Sequence, residues 1–155
     1  MPIPSSSAPA ARRWLYQQLT AQLIPDPVNA SSSLLVVYDQ PGPGQPDDIV
    51  AVGKVARQID VDSLVGSGGA GWLSERYQVD VTVDVFRGGD DAQAAYERGA
   101  ALADQVCAVV RADPTMGGAV LVARPVSSTH EVEWDEEHLG RHCVSVIEID
   151  CFQRI

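Results

Sequence analysis

The chain has 155 residues, 45% of them hydrophobic, which is enough to bury a core without metals or disulfides and predicts one domain over residues 1–155. Lysine and arginine total 11 against 21 aspartates and glutamates, a formal charge of −10, so nonspecific attraction to a DNA backbone is disfavoured. No apolar run reaches the roughly 18 residues of a membrane-spanning helix, and Met1–Pro9 lacks the basic-then-apolar order of a secretory signal.

In chain order, residues 1–8 read as a flexible arm, followed by a helix over about Pro9–Ile24. Serine before proline suits a helix start, and Ala11, Leu15, Leu19 and Leu23 recur as an apolar stripe that Trp14 widens. Pro25 and Pro27 stop it. Leu34–Tyr38 is a short apolar run of strand length, and Asp39–Asp48, with three prolines and two glycines, is a loop. Ile49–Val61 contains a strand with an uncertain boundary at Gly53, and Val65–Trp72 is a glycine-rich loop.

The strongest strand signal is Tyr77–Val85, where Tyr77, Val79, Val81, Val83 and Val85 alternate with Gln78, Asp80, Thr82 and Asp84. Asp90 then caps a helix, with Gln93 completing a capping box. Its apolar stripe is Ala95, Gly99, Leu102, Val106 and Val109, while Glu97, Arg98, Asp104 and Arg111 lie on the other side. After a turn over Asp113–Gly118, Ala119–Val126 is a strand that His130, Val132 and Trp134 continue. An acidic turn at Glu136–Gly140 leads to a final strand, Cys143–Gln153, antiparallel to it. The apolar phase of that strand changes between Val146 and Ile147, which predicts a bulge or a strand covered in part on both faces. The fold class is therefore α+β: a mixed, largely antiparallel sheet with an N-terminal helix and one main helix packed across it.

No pattern demands catalysis. The run Ser67–Gly71 lacks the lysine of a phosphate-binding loop and leads to a strand, and no cofactor is implied. His138 and His142 are four apart, but Gly140 between them argues against a helical metal site. Asp80 and Asp84, and Glu148 and Asp150, are carboxylate pairs of the kind any exposed strand face produces, and Ser127, Ser128 and Cys143 sit in no nucleophile elbow. Cys107, Cys143 and Cys151 form no disulfide framework; one pair could join if the helix met the last strand, but three buried reduced thiols are the expectation. The loops around Pro43 and Gly69, together with Trp14 and Trp72, are candidate interface positions, with Trp72 either an anchor or a lid on its own core.

Several strings resemble the tail terminator, or tail completion, proteins of long-tailed bacteriophages. They are Glu75-Arg76-Tyr77 entering the alternating strand to Phe86, the alanine-rich helix after Asp90, Asp113–Gly118 leading into Ala119–Val126, and the closing strand Val144–Arg154. The resemblance covers about the last 80 residues, and the first 60 only in element order. It implies a non-enzymatic virion protein, assembled in the host cytoplasm, that forms a homohexameric ring at the head-proximal end of the tail. Its partners would be other copies of itself, the tail tube protein and the head-tail connector, with genomic DNA passing through the lumen and no membrane involved. A neighbouring neck subunit or a small-molecule-binding α+β domain are the alternative readings. A tail tube protein would be richer in strand.

Overall fold

The computed structural model describes residues 5–29, 31–39, 47–61 and 73–155. Five strands form one mixed sheet in the order β1-β2-β3-β5-β4, with helices α1 and α2 on one face. The α+β class and the layering expected from the sequence are observed.

Helix α1 spans Ala8–Gln22, with Pro9 in its first turn and Leu23 as its C-cap. Its stripe of Ala11, Leu15 and Leu19 is fully buried against the sheet. Strand β1, Leu34–Tyr38, has the predicted bounds and pairs parallel with the first five residues of β2, Asp48–Val61. All other pairings are antiparallel.

Strand β3 spans Leu73–Gly88, longer at both ends than the alternation predicted. Its odd positions from Tyr77 to Val85 are buried beneath the helices, and its even positions face the other way. The same phase carries on to Glu75 and Arg87, which are buried although charged. Helix α2 spans Ala92–Ala112 and crosses β3, β4 and β5. Its N-cap is Asp91, not Asp90, and accepts from the backbone N–H of Ala94; with alanine at N3 the capping box expected from Asp90 and Gln93 does not form. Gly99 is needed for the close approach of α2 to β5, since a Cβ there would sit 2.7 Å from the Cys143 sulfur.

Strands β4, Val122–Asp135, and β5, Gly140–Arg154, form the predicted hairpin. The expected irregularity at Val146–Ile147 does not occur. Pairing of β3 with β5 runs unbroken, and Cys143, Ser145, Ile147, Ile149 and Cys151 keep one buried phase. Ser145 takes the inward place that the apolar pattern gave to a neighbour, because its hydroxyl reaches Nδ1 of His130 at 2.6 Å. The bulges fall instead between Val52 and Val55 in β2 and between Pro125 and Ser127 in β4. At the latter, proline has no N–H to give to a ladder.

Arg98 departs from the sequence reading as well: it is buried, not on the solvent side of α2. It belongs to a charge cluster centred on Asp48, which is inaccessible to solvent. Asp48 accepts from Arg87 Nη1 at 2.6 Å and from Arg98 Nε at 2.9 Å. Arg87 Nη2 also reaches Asp26 at 2.9 Å, and Arg98 Nη2 donates to the carbonyl of Ile24 at 2.8 Å. Burial alone would raise the Asp26 carboxyl, but the bond from Arg87 and the backbone N–H of Val28 hold it below its ordinary value. The cluster thus joins β2, β3, α2 and the segment that follows α1. Replacing Asp48 by alanine leaves two buried guanidinium groups short of a partner, a loss of about 3–5 kcal/mol. Urea unfolding is expected to show that drop; a change under about 1 kcal/mol would mean the cluster is not a structural tie.

Candidate functional site: the open face of the sheet

Both helices lie on one side of the sheet, so its other face is uncovered among the described residues. Cross-strand register fixes its rows: Arg76, Phe152 and Val122; Gln78, Asp150 and Arg124; Asp80, Glu148 and Ser127; Thr82, Val146 and Thr129; Asp84, Val144 and Glu131; Phe86, His142 and Glu133. Facing residues of an antiparallel pair share a side, about 5 Å apart. The four carboxylates read from the sequence as two separate pairs therefore stand on one surface, with Asp80 directly opposite Glu148. Partial burial and the Glu148 charge push the Asp80 carboxyl above its ordinary value, against the pull of Lys54.

The acidic groups gather toward the β4–β5 turn. There His142 lies between two carboxylates, with Nδ1 2.7 Å from Asp84 and Nε2 2.8 Å from Asp135. Asp135 also meets His138 Nδ1 at 2.9 Å and accepts from the backbone N–H groups of Glu137 and His138. The His138 side chain first, then its backbone, then His142 hold the Asp135 carboxyl well below the usual carboxylate range. Phe86 packs against the His142 ring, 5.0 Å between centroids. A carboxylate can only accept, so both nitrogens of His142 are donors and the ring is an imidazolium. The two imidazoles are thus committed to carboxylates, and among the described residues no group of histidine, cysteine and acid has a metal-holding arrangement.

At the other end of the face lies an open cleft of about 460 Å³, lined by Ala56, Gln58, Arg76, Gln78, Arg124 and Phe152 among others. The Arg76 guanidinium stacks on the Phe152 ring at 4.7 Å. The face therefore has an acidic end and an end where arginines project.

Behind that second end is a further buried carboxylate. Glu75 accepts from the Ser7 hydroxyl and backbone N–H, from the Ser6 hydroxyl at 2.9 Å and from Arg57 Nε. Burial opposes ionisation, but those bonds hold its carboxyl below the ordinary value. Ser6 and Ser7, within the stretch read as a flexible arm, are in this way tied to β3; residues 1–4 lie outside the described part.

The thiols are poor nucleophiles. Burial raises all three, Cys151 up to about 12, and the thiolate is the reactive form. All are free; Cys143 and Cys151 are buried, whereas Cys107 is only half-buried, contrary to the expectation of three buried thiols. Ser127 donates to Glu148 at 2.9 Å, with no histidine on it.

Of the candidate interface positions, Pro43, Gly69 and Trp72 lie outside the described residues. Trp14 is half-buried with its indole against Gly117, a contact within the chain. The sequence reading missed Asp48, Glu75, Arg87 and Arg98 as buried charges. Their signal was phase: Glu75 and Arg87 continue the inward odd positions of β3, and Arg98 lies three residues after Ala95 and four before Leu102.

No family model and no curated protein matches this sequence. Among solved structures the chain is similar to a chain in the virion of a native gene transfer agent particle, at 16% identity and a TM-score of 0.49, with 96% of this chain and 98% of that chain covered.

The His142 bridge gives a pH dependence of defined sign. Partial burial lowers the imidazole pKa, but the bonds to Asp84 and Asp135 more than offset this and raise it above the ordinary 6.5. Its stabilising contribution is complete below about 6.5 and is lost as pH rises through the higher folded value. Stability of the parent chain is expected to fall across that interval more than that of His142→Gln. Coincident pH profiles for the two proteins would show that the bridge contributes nothing.

Proposed function

We propose that this chain is a structural assembly subunit of a phage-like virion, forming a closed ring at the head-proximal end of a tail, where it caps the tube and presents a surface to the head connector. The observation that carries the reading is the one-sided packing of the fold. A five-stranded sheet with both helices on one face leaves a broad, largely polar and acidic face that is uncovered among the described residues. A ring of such subunits presents that face repeatedly around one surface. Where the acidic groups line a channel they repel a DNA backbone, so the nucleic acid passes without adhering. A capping ring must close on itself, and heterologous contacts between identical copies allow closure.

The chemistry of the site agrees with a role without catalysis. The carboxylates stand on an open strand face, the imidazoles of His138 and His142 are bound to carboxylates, and the thiols are held protonated. The 460 Å³ cleft is of ligand size, but it is open and has Arg57, Arg76, Arg124 and Asp150 in its lining, unlike the enclosing pockets that hold small molecules, which favours assembly over a binding domain.

Light scattering after size separation, repeated over a range of concentration and again with tail tubes added, tests this reading. The expected species is near six times the 16.6 kDa chain, alone or on the tube end, with tube growth halted. A chain that stays monomeric in both conditions and leaves tube growth unchanged would overturn it.

A further inference from the structure

We infer that the copies join edge to edge, with the distal half of β2 of one copy pairing antiparallel to β4 of the next in the register that places Lys54 opposite Glu133. The inference rests on the ring reading above and specifies the contact.

Two strand edges are open among the described residues. β1 pairs only with Asp48–Val52, so β2 from Gly53 to Val61 has a neighbour, β3, on one side alone. β4 likewise pairs only with β5 along Val122–Asp135. Long unpaired edges are templates for another strand. Direction is compatible: β2 is antiparallel to β3, β3 to β5 and β5 to β4, so β4 runs opposite to β2. A neighbouring copy in the same orientation extends the sheet as an antiparallel pair.

The helix layer supplies the second observation. Val55, Arg57 and Ile59 share the helix side with Val79, Tyr77 and Glu75. Yet Ile59 is 50% exposed and Val61 57%, so their side chains are left open among the described residues. At the opposite edge α2 lies over β4, with Tyr96 47% exposed and its ring edge-on to His130, 5.8 Å between centroids. Among the described residues one edge thus carries exposed apolar side chains and the other an exposed aromatic ring on its helical cover. Edge pairing seats Tyr96 beside Arg57 and Ile59 of the next copy.

Side-chain chemistry selects the register. With Lys54 opposite Glu133, the open-face pairs continue as Ala56 with Glu131 and Gln58 with Thr129. On the helix side Val55 meets Val132, and Val61 reaches Val126, which is 39% exposed. Lys54 would face a carboxylate in the registers at Glu131 and Asp135 as well, but the Glu133 register alone adds an apolar contact at both ends, and a slip by one residue would turn every side chain to the wrong face.

A double cysteine variant, Lys54→Cys with Glu133→Cys, tests the contact, because facing residues of an antiparallel pair lie within disulfide reach. Mild oxidation is expected to give a ladder of linked multimers on non-reducing gels, absent from the parent chain and from Lys54→Cys with Thr129→Cys. Independently, Lys54→Glu should weaken assembly at least tenfold and Lys54→Glu with Glu133→Lys should restore it. Assembly of normal mass with no ladder and no effect of Lys54→Glu would overturn this contact and leave the ring reading standing. A chain that is monomeric with and without tubes and forms no ladder would overturn both.

Discussion

The arrangement of the helices on the sheet depends on the carboxylate of Asp48. It has no solvent, and its partners Arg87 and Arg98 come from a different strand and from the main helix. Arg98 in turn holds the backbone carbonyl just beyond α1, and Arg87 holds Asp26. Apolar burial is non-directional and would tolerate some sliding of α1 and α2 over the valine-rich face of β3. Charged hydrogen bonds do not tolerate it, because a displaced guanidinium would be left buried without an acceptor. The cluster therefore fixes the positions of elements that hydrophobicity only brings together.

The periodic parts of the fold were legible in the sequence. The alternation of Tyr77–Val85, the four-residue spacing of Ala11, Leu15, Leu19 and Leu23, and the stripe from Ala95 to Val109 each report one face in one regular element. The charged core was not, because residue type and position conflict there: Arg98 lies within the buried stripe of α2, whereas its charge points to the solvent side. Ser145 misled in the same way, since a serine in an inward place read as a break in phase when it was a hydrogen-bonding partner for His130. Bulges follow from local demands, a proline in β4 and Gly53 near the carbonyl of Asp80 in β2, that alternation alone does not register. The candidate surface was legible only as carboxylates on separate strands. That Asp80 and Glu148 face each other is a matter of register, which needs both strands.

The two faces of the sheet divide the work of the molecule. The helix side is apolar and closed by the charge cluster at one end and by the Glu75 bonds at the other. The open side keeps polar groups on β2, β3, β4 and β5, with Val144 and Val146 of β5 among them. Because β3 and β5 are paired over their whole length, a surface placed on them is held by the most continuous part of the sheet. Such rigidity suits a surface whose use is to match another protein, since little ordering remains to be done when contact is made.

The bonds of Glu75 also bear on how the chain reaches this state. Ser7 and Glu75 are 68 residues apart, and Arg98 is 74 residues from the Ile24 carbonyl it holds. Helix α1 leaves the ribosome before the strands and α2, so the groups that anchor both of its ends are made much later. Loop closure over such separations is entropically costly until the sheet exists to receive the helix. Both anchors of the amino-terminal helix are thus contacts of high sequence separation, which exist only once β3 and α2 are in place.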